Sequence, residues 1–571
     1  MRLKISRSKN SASFYVIKTV YVDKREKTIT VEKLGTEKEL KEKLGVIDIE
    51  KWAREYVEEL NRLEKEGTEP KVIAEYSPSK LIDKDVQRSF NAGYLFLQDI
   101  YYKLGLHNIC KDITKKYKFT FDLNSILSRL IYSRVIYPAS KLATTELSKR
   151  FIEQPNFQIQ HVYRALEIIS KEADFIQSEL YKNSLKISKR NTGILYYDCT
   201  NFFFEIEEED GLKQYGVSKE HRPNPIVQMG LFMDGDGIPL AFNINKGNTN
   251  EQVTLKPLEE QILSDFELSK FIVCTDAGLA SNDNRKFNNV QERAFITTQS
   301  IKKLKKYLKE WALDPNGWSL SNDLKEYNIN KLNEEKDFDK VFYKERWINE
   351  NDLEQKLVVT FSLKYKNYQR TIRENQVNRA EKVISSNPDK LKKTNPNDYK
   401  RFIEKVNCTS EGEIADKQIL SIDKELIAKE EIFDGFYAVC TNLDDDADEI
   451  IKANKRRWEI EESFRIMKNE FKARPVYLSR DDRIEAHFTT CFIALMIFRL
   501  LEKKLDEKYT CNEIIKTLKD MNLYEAVGNG YIPTYTRSEL TDDLHQSFGF
   551  RTDYQIVTTK QMKKIFKVTQ N

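Results

Sequence analysis

Apolar and polar positions alternate along residues 12–36, where SFYVIKTVYV and TITVEKLG flank the charged break DKREK, the pattern of a β-hairpin. The period then lengthens. Ile49, Trp52, Tyr56, Leu60 and Leu63 share one helical face, with Asp48 placed to cap it and Gly67 to stop it, so a helix is predicted to about Glu66. Residues 90–185 carry helical periods throughout. Within them Ser125–Tyr137 and Ala143–Phe151 flank a break at Pro138-Ala139-Ser140. The break admits a helix-turn-helix, but two packed helices of a bundle explain it more simply, because no sharper signature accompanies it.

From Gly193 the texture changes. ILYYDCTNFFFE, IVQMGLFMD and IPLAFNIN read as three strands, the last two joined by the turn Asp234-Gly235-Asp236-Gly237. A helix follows over about 251–264. FIVCTDAG is a buried strand, then comes a helix, and AFITTQS is a further strand. A three-strand meander followed by helix, strand, helix and strand makes an α/β unit. Residues 301–430 interrupt it with lysine-rich, mostly β sequence and a polar helical stretch near 369–395. GFYAVCTN restores a strand. Asp446 and Glu449, a possible capping box, open a long helix predicted to run to about Phe471, and an apolar helix follows over about 482–504. The expected division is 1–70 hairpin and helix, 71–190 helical DNA-binding region, 191–300 and 431–505 two parts of one core, 301–430 an insertion, and 506–571 a small helical tail.

Composition narrows the chemistry. The 571 residues suggest several folding units, and 40% hydrophobic residues suffice for large cores. Basic and acidic residues nearly balance, 94 against 90, so any nucleic-acid footprint must be local. Cys110, Cys199, Cys274, Cys408, Cys440, Cys491 and Cys511 form no C-x-x-C pair, and the 5 histidines have no zinc spacing, which argues against zinc and for reduced thiols in a cytoplasm. The basic N-terminus lacks the apolar core of a signal peptide. The longest apolar run, Cys491 to Phe498, is far short of the ~20 residues that span a bilayer.

Three acidic residues carry the candidate chemistry. Asp198 follows Ile194–Tyr197 in the first core strand, where burial is costly unless a cation or donor meets it. Asp276 ends the FIVCT strand, where functional side chains of α/β units often project. Each alone reads as a turn or helix cap. The third lies in NKRRWEIEESFRIMK, Asn454–Lys468. On a continuous helix Arg457, Glu461 and Lys468 fall within about 60° of one another. Ile460, Phe464, Met467 and Phe471 mark a neighbouring face able to dock on a sheet. Plain ion pairing on a solvated helix explains the same spacing. Residues 452–483 hold ten basic and six acidic side chains, a net +4 equal to that of the whole chain.

R-W-x-I-E-x-x-F-x-x-x-K resembles the signature helix of bacterial insertion-sequence transposases of the DDE type, whose pattern is Tyr, two residues, Arg, three residues, Glu, six residues, Lys. Asn454 stands where that pattern has tyrosine. YYDCTNFFFE, VCTDAGLAS, the stretch 216–251, residues 474–502 and the opening MRLKISRSKNSASFYVIK are similar to further segments of the family, in the same order. The resemblance implies a ribonuclease-H-like α/β core with a mixed sheet, interrupted by a mostly β insertion, with a helical N-terminal region and a small helical tail. It implies Asp198, Asp276 and Glu461 as catalytic carboxylates that hold two Mg²⁺ ions, with Mn²⁺ able to substitute. Arg457 and Lys468 would grip phosphates, with Asn454, Arg465, Lys472 and Arg474 also on the DNA. The expected partners are double-stranded DNA, as element ends and target, and a second copy of the chain on the paired ends, with no membrane. A nuclease or resolvase without strand transfer, or an inactive DNA-binding relative, are the competing readings.

Overall fold

The computed structural model describes all residues except 9–10, 23–24, 45–47, 68–76, 291, 387–396 and 408–417. Cys408 and the end of the expected helix near 369–395 therefore lie outside the described residues. The chain divides into two units, Met1–Asp83 and Lys84–Asn571.

The first unit is an antiparallel sheet of β1 (Arg2–Ser8), β2 (Ser11–Val22) and β3 (Arg25–Thr36), followed by α1 (Glu37–Leu44) and α2 (Ile49–Gly67). The expected hairpin is β2–β3, and β1 adds a third strand that sets Ile5 opposite Phe14. Asp48 accepts a bond from the Lys51 amide, as an N-cap should. The buried stripe of α2 is Ile49, Ala53 and Val57 rather than the aromatic one. Small Ala53 packs in the core with Phe14 and Leu40, while Trp52 and Tyr56 stack along the rim at 5.3 Å.

The second unit opens with β4 (Ser89–Asn91) and six helices: α3 (Tyr94–Lys103), α4 (Leu106–Lys116), α5 (Leu123–Ile136), α6 (Lys141–Leu147), α7 (Ile159–Lys171) and α8 (Ala173–Ile187). Every residue of α5 except Asn124 is buried. Such a helix has no free face of its own for a DNA groove, while α6 keeps Leu142 and Glu146 exposed.

The core follows as β5 (Ile194–Phe203), β6 (Ile226–Asp234), β7 (Pro239–Lys246), α9 (Leu255–Asp265), β8 (Ile272–Thr275), α10 (Asn282–Phe287) and β9 (Ala294–Thr298). The meander is antiparallel, and β8 and β9 continue parallel to β5, as the strand order predicted. The β6–β7 turn is locked by a buried ion pair in which Arg190 Nε donates to Asp234 Oδ2 at 2.6 Å. Arg190 also donates to Ser184 and to the carbonyls of Ile238 and Pro239, so this buried charge pair is fully hydrogen-bonded.

Next come α11 (Lys306–Leu313), β10 (Trp318–Leu320), β11 (Asp323–Tyr327), β12 (Phe342–Glu350), β13 (Leu353–Phe361), α12 (Leu363–Ser386), β14 (Ile403–Asn407), β15 (Gln418–Ile422), α13 (Lys424–Glu431) and β16 (Phe436–Thr441). The expectation of a mostly β insertion that interrupts the core needs correcting. Strands β10–β13 extend the core sheet itself, which runs β11-β10-β12-β13-β16-β9-β8-β5-β6-β7. β13 pairs along β16, setting Val358 opposite Val439, because both carry apolar residues on both faces and can be covered only inside a continuous sheet. The segment also holds at least as much helix as strand, with α12 alone spanning 24 residues.

The chain closes with α14 (Ala447–Lys455), α15 (Trp458–Arg465), α16 (Asp481–Lys504), α17 (Cys511–Asp520), β17 (Asn522–Ala526), β18 (Gly530–Pro533), α18 (Glu539–Phe548) and α19 (Thr559–Thr569). α16 is long and apolar enough to cross a membrane by length and composition, but 94% of its apolar window is buried inside the fold. It is the central core helix, packed on α3, α5, α7 and β7. The C-terminal tail is not purely helical. β17 and β18 form a hairpin, and β17 pairs with β4, which ties the end of the unit to its beginning.

Candidate active site

Register places the two aspartates. Tyr196 of β5 lies opposite Cys274 of β8, and Cys274 opposite Ile296 of β9. Asp276 follows immediately after β8, close enough to Asp198 of β5 for its charge to act on that carboxyl. Tyr196, Cys274 and Ile296 pack in the same core as Ile460, Phe464 and Met467 of the segment containing α15. Asp198 and Asp276 are in phase with them and so face the same side of the sheet.

Asp198 Oδ1 accepts a bond from the Cys199 amide at 2.7 Å, and Asp276 Oδ1 accepts from the amides of Gly278 and Leu279. Asp198 keeps partial access to solvent but is surrounded by protein. Burial pushes its carboxyl up to about 6, against the pull of Lys219 and with the like charge of Asp276 adding to the rise. Two carboxylates side by side in an apolar sheet are the donors a hard divalent cation takes, so the pair fits part of a Mg²⁺ or Mn²⁺ site.

The helix expected over 446–471 is not continuous. Asp446 makes no side-chain cap. The Tyr196 hydroxyl donates to the Ala453 carbonyl at 2.8 Å, the next amides bond three residues back, and α14 ends before α15 begins. After α15 a π-turn, Ile466–Glu470, carries a bond from the Phe471 amide to the Ile466 carbonyl. Such bulges recur at functional sites.

Arg457 nevertheless lies close enough to Asp198 for its charge to lower that carboxyl. Lys468 feels Asp198 as well, sits 5.5 Å over the Phe202 ring and reaches Glu220 at 3.5 Å. Glu461 is turned toward Arg457, 3.4 Å away, with 59% of its side chain exposed. Among the described residues no three His, Cys, Asp or Glu side chains are gathered for a metal ion. The structure therefore brings Asp198 and Asp276 together and leaves Glu461 outside that pair.

The remaining expected DNA contacts are scattered. Arg465 is exposed and paired with Glu462, Lys472 is exposed, and Arg474 is paired with Glu220. Asn454 is 7% exposed and donates to the Tyr437 hydroxyl, which bonds Thr298 on the next strand. At the position of the resembling family's tyrosine, Asn454 thus clamps helix to sheet with the help of a tyrosine from β16. Two residues near the pair were not anticipated. Lys219 donates to the Cys199 carbonyl and pairs with Glu251 at 3.0 Å. Burial pulls Lys219 down, but Asp198 and Glu251 outweigh it and it titrates above its ordinary value. Lys219 lies in a loop whose sequence has no periodicity, and only the resemblance of the stretch 216–251 marked its neighbourhood.

A cleft of about 540 Å³ opens beside Glu461, lined by Tyr365, Tyr437, Asn454, Arg457 and Trp458. Tyr365 and Tyr368, which also line this cleft, lie on α12.

Residues 201–497 match the family model of the transposase DDE domain, a span that includes Asp276 and Glu461 and begins just after Asp198. No curated protein matches the chain. Among solved structures, the cryo-EM structure of the piggyBac transposase synaptic complex with hairpin DNA is similar at a TM-score of 0.36 and 8% identity, covering 85% of this chain and 88% of that one.

Proposed function

The chain belongs to the transposase DDE domain family, and on that premise we propose that it is the transposase of a bacterial insertion sequence, binding the element's terminal repeats, cutting them and joining the freed ends to target DNA. The observation that carries the reading is the pair formed by Asp198 in β5 and Asp276 just past the parallel strand β8, with the Arg457 and Lys468 cations close to Asp198. The meander followed by parallel strands supports a ribonuclease-H-like core.

In this reading Asp198, Asp276 and Glu461 hold two divalent cations, Mg²⁺ with Mn²⁺ as substitute. When bound, these supply charge neutralisation at the scissile phosphate and an acidified water. Arg457 and Lys468 place the phosphate against the carboxylates, Arg457 by a bidentate fork and Lys468 as a point charge. Tyr365 and Trp458 offer faces on which bases beside the cut can stack. A DNA phosphate that engages Arg457 competes with Glu461 for its guanidinium and frees that carboxylate to turn toward the aspartates. Two copies acting on paired ends complete the proposal.

Purified chain given a duplex of the element's end and Mn²⁺ should nick it at a defined phosphodiester and join pre-cut ends to a second duplex. Cutting without joining would indicate a nuclease, binding alone an inactive relative, and neither cutting nor joining would end the enzymatic reading.

Burial and then the neighbouring Lys219 pull Lys468 down to about 8, against Asp198. Lys468 is therefore charged below that pH and neutral above it. DNA affinity should fall as pH rises past about 8, by at most about tenfold per pH unit for one group. Lys468→Arg, which stays charged, should flatten the fall. Dissociation constants from pH 7 to 9 check this, and parallel curves for the two proteins would remove Lys468 from the interface.

A further inference from the structure

We propose that a cationic pocket where the α5–α6 turn meets the loop after the π-turn is a second phosphate site, one that takes a backbone phosphate of bound DNA. The inference rests on the DNA reading for the source of its ligand, but not for the site itself. The cavity is about 250 Å³, and its lining includes Arg134, Lys141, His487, Lys472 and Arg474, with no carboxylate among them.

Lys141 is 5% exposed, and its Nζ has no hydrogen-bond partner among the described residues. Arg134 is equally buried. It donates to the carbonyls of Phe471 and Ala139 and leaves Nε without a partner. His487, which bonds the Ala473 carbonyl, is kept neutral by burial and by the adjacent cations. An ammonium and a guanidinium buried together without a counter-charge are costly to the fold. The cost is visible on Lys141, which burial and then Arg134 pull down to about 7. A phosphate oxyanion supplies the missing charge and acceptors.

The pocket meets solvent at a rim of exposed Leu142, Lys472 and Tyr477, from which an anion reaches Lys141 once that side chain turns outward. It is also continuous with the candidate active site. Glu220 pairs with Lys468 on one side and with Arg474, which lines the pocket, on the other. A duplex placed over Lys468 can therefore set a neighbouring phosphate here. α5 is too buried to enter a groove, but its C-terminal end can still grip the backbone through this pocket.

Two measurements on the full chain in EDTA test the site. The first is the salt dependence of binding to a duplex. Lys141→Met should flatten the plot of log affinity against log salt by about 0.9, the slope of one lost phosphate contact, and weaken binding about tenfold near physiological salt. The second uses inorganic phosphate. Phosphate should raise the melting temperature of the wild type and not of Lys141→Met, which should itself melt higher in phosphate-free buffer. If Lys141→Met does not fold, Lys141→Gln serves for both.

Loss of the phosphate effect with an unchanged DNA slope would assign the pocket to free phosphate and overturn the DNA source. Unchanged slope and unchanged melting behaviour together would overturn the site. Neither readout needs cleavage, so failure here is distinct from failure of the enzymatic reading. If the wild type binds no DNA, the phosphate arm still tests the pocket.

Discussion

Asp198→Asn is expected to abolish DNA cleavage and, in metal-free protein at pH 8, to raise the melting temperature. The first effect follows from removing a charged oxygen ligand. Charge stabilisation by a catalytic metal is worth several kcal/mol, so a loss of at least about 10³-fold is expected. The second follows from the carboxyl's own environment. Burial pushes Asp198 from 3.8 in its ordinary state to about 6 in the fold. A raised carboxyl means that the folded state binds the proton more tightly than the unfolded one. Stability is then lost as pH rises from about 4 through 6, and at pH 8 the full penalty applies.

Two pKa units set a ceiling of about 3 kcal/mol, and the residual solvent access of Asp198 reduces it to roughly 1 kcal/mol. In a unit of this size that is a shift of about 1–2 °C. The gain should vanish below about pH 4, and Mg²⁺ should stabilise the wild type more than the variant. Scanning fluorimetry from pH 4 to 8, with EDTA or with Mg²⁺, reads both. A variant that melts lower than the wild type at pH 8 would mean that Asp198 is a structural acceptor and not a strained ligand.

The core strands were legible in the sequence because each is a short apolar run bounded by turn residues. β5 to β9 fall within a few residues of their expected ends, and the aspartates could be found because they interrupt those runs. The sequence could not show which strands pair. Nothing in KVFYKERW or KLVVTFSLKY states that β12 and β13 extend the core sheet, since pairing is settled by long-range packing against β16. The hairpin β17–β18 has a signal in the sequence, the turn Val527-Gly528-Asn529-Gly530 between alternating segments. The kink before Arg457 was invisible for a different reason. It coincides with the bond that the Tyr196 hydroxyl, more than 250 residues away in the chain, donates to the Ala453 carbonyl. Asn454 looked like a lost tyrosine, and only the fold shows Tyr437 bonded to it from the adjacent strand.

Glu461→Gln should reduce cleavage by at least about 10³-fold while leaving fold and DNA affinity intact. Glu461 is mostly exposed and touches only Arg457 among the ion pairs, so its loss should change stability by no more than about 0.5 kcal/mol. The geometry offers a competitor. Glu461 and Glu251 are each tied to a cation that lowers the Asp198 carboxyl: Glu461 to Arg457 at 3.4 Å, and Glu251 to Lys219 at 3.0 Å. Both cations act on Asp198. Either tether could release its carboxylate when a phosphate arrives, but the two differ in what release costs. Lys219 is also bonded to the Cys199 carbonyl beside Asp198, so losing it would unpin the strand. Arg457 has no such backbone duty in the structure, and its guanidinium is the better partner for a phosphate. Glu461 is therefore the carboxylate that DNA binding should free. Measured side by side, Glu461→Gln should be inactive at normal affinity, whereas Glu251→Gln should keep most of its activity. The reverse order would move the third ligand to Glu251 and leave the α15 carboxylate as a phosphate gate.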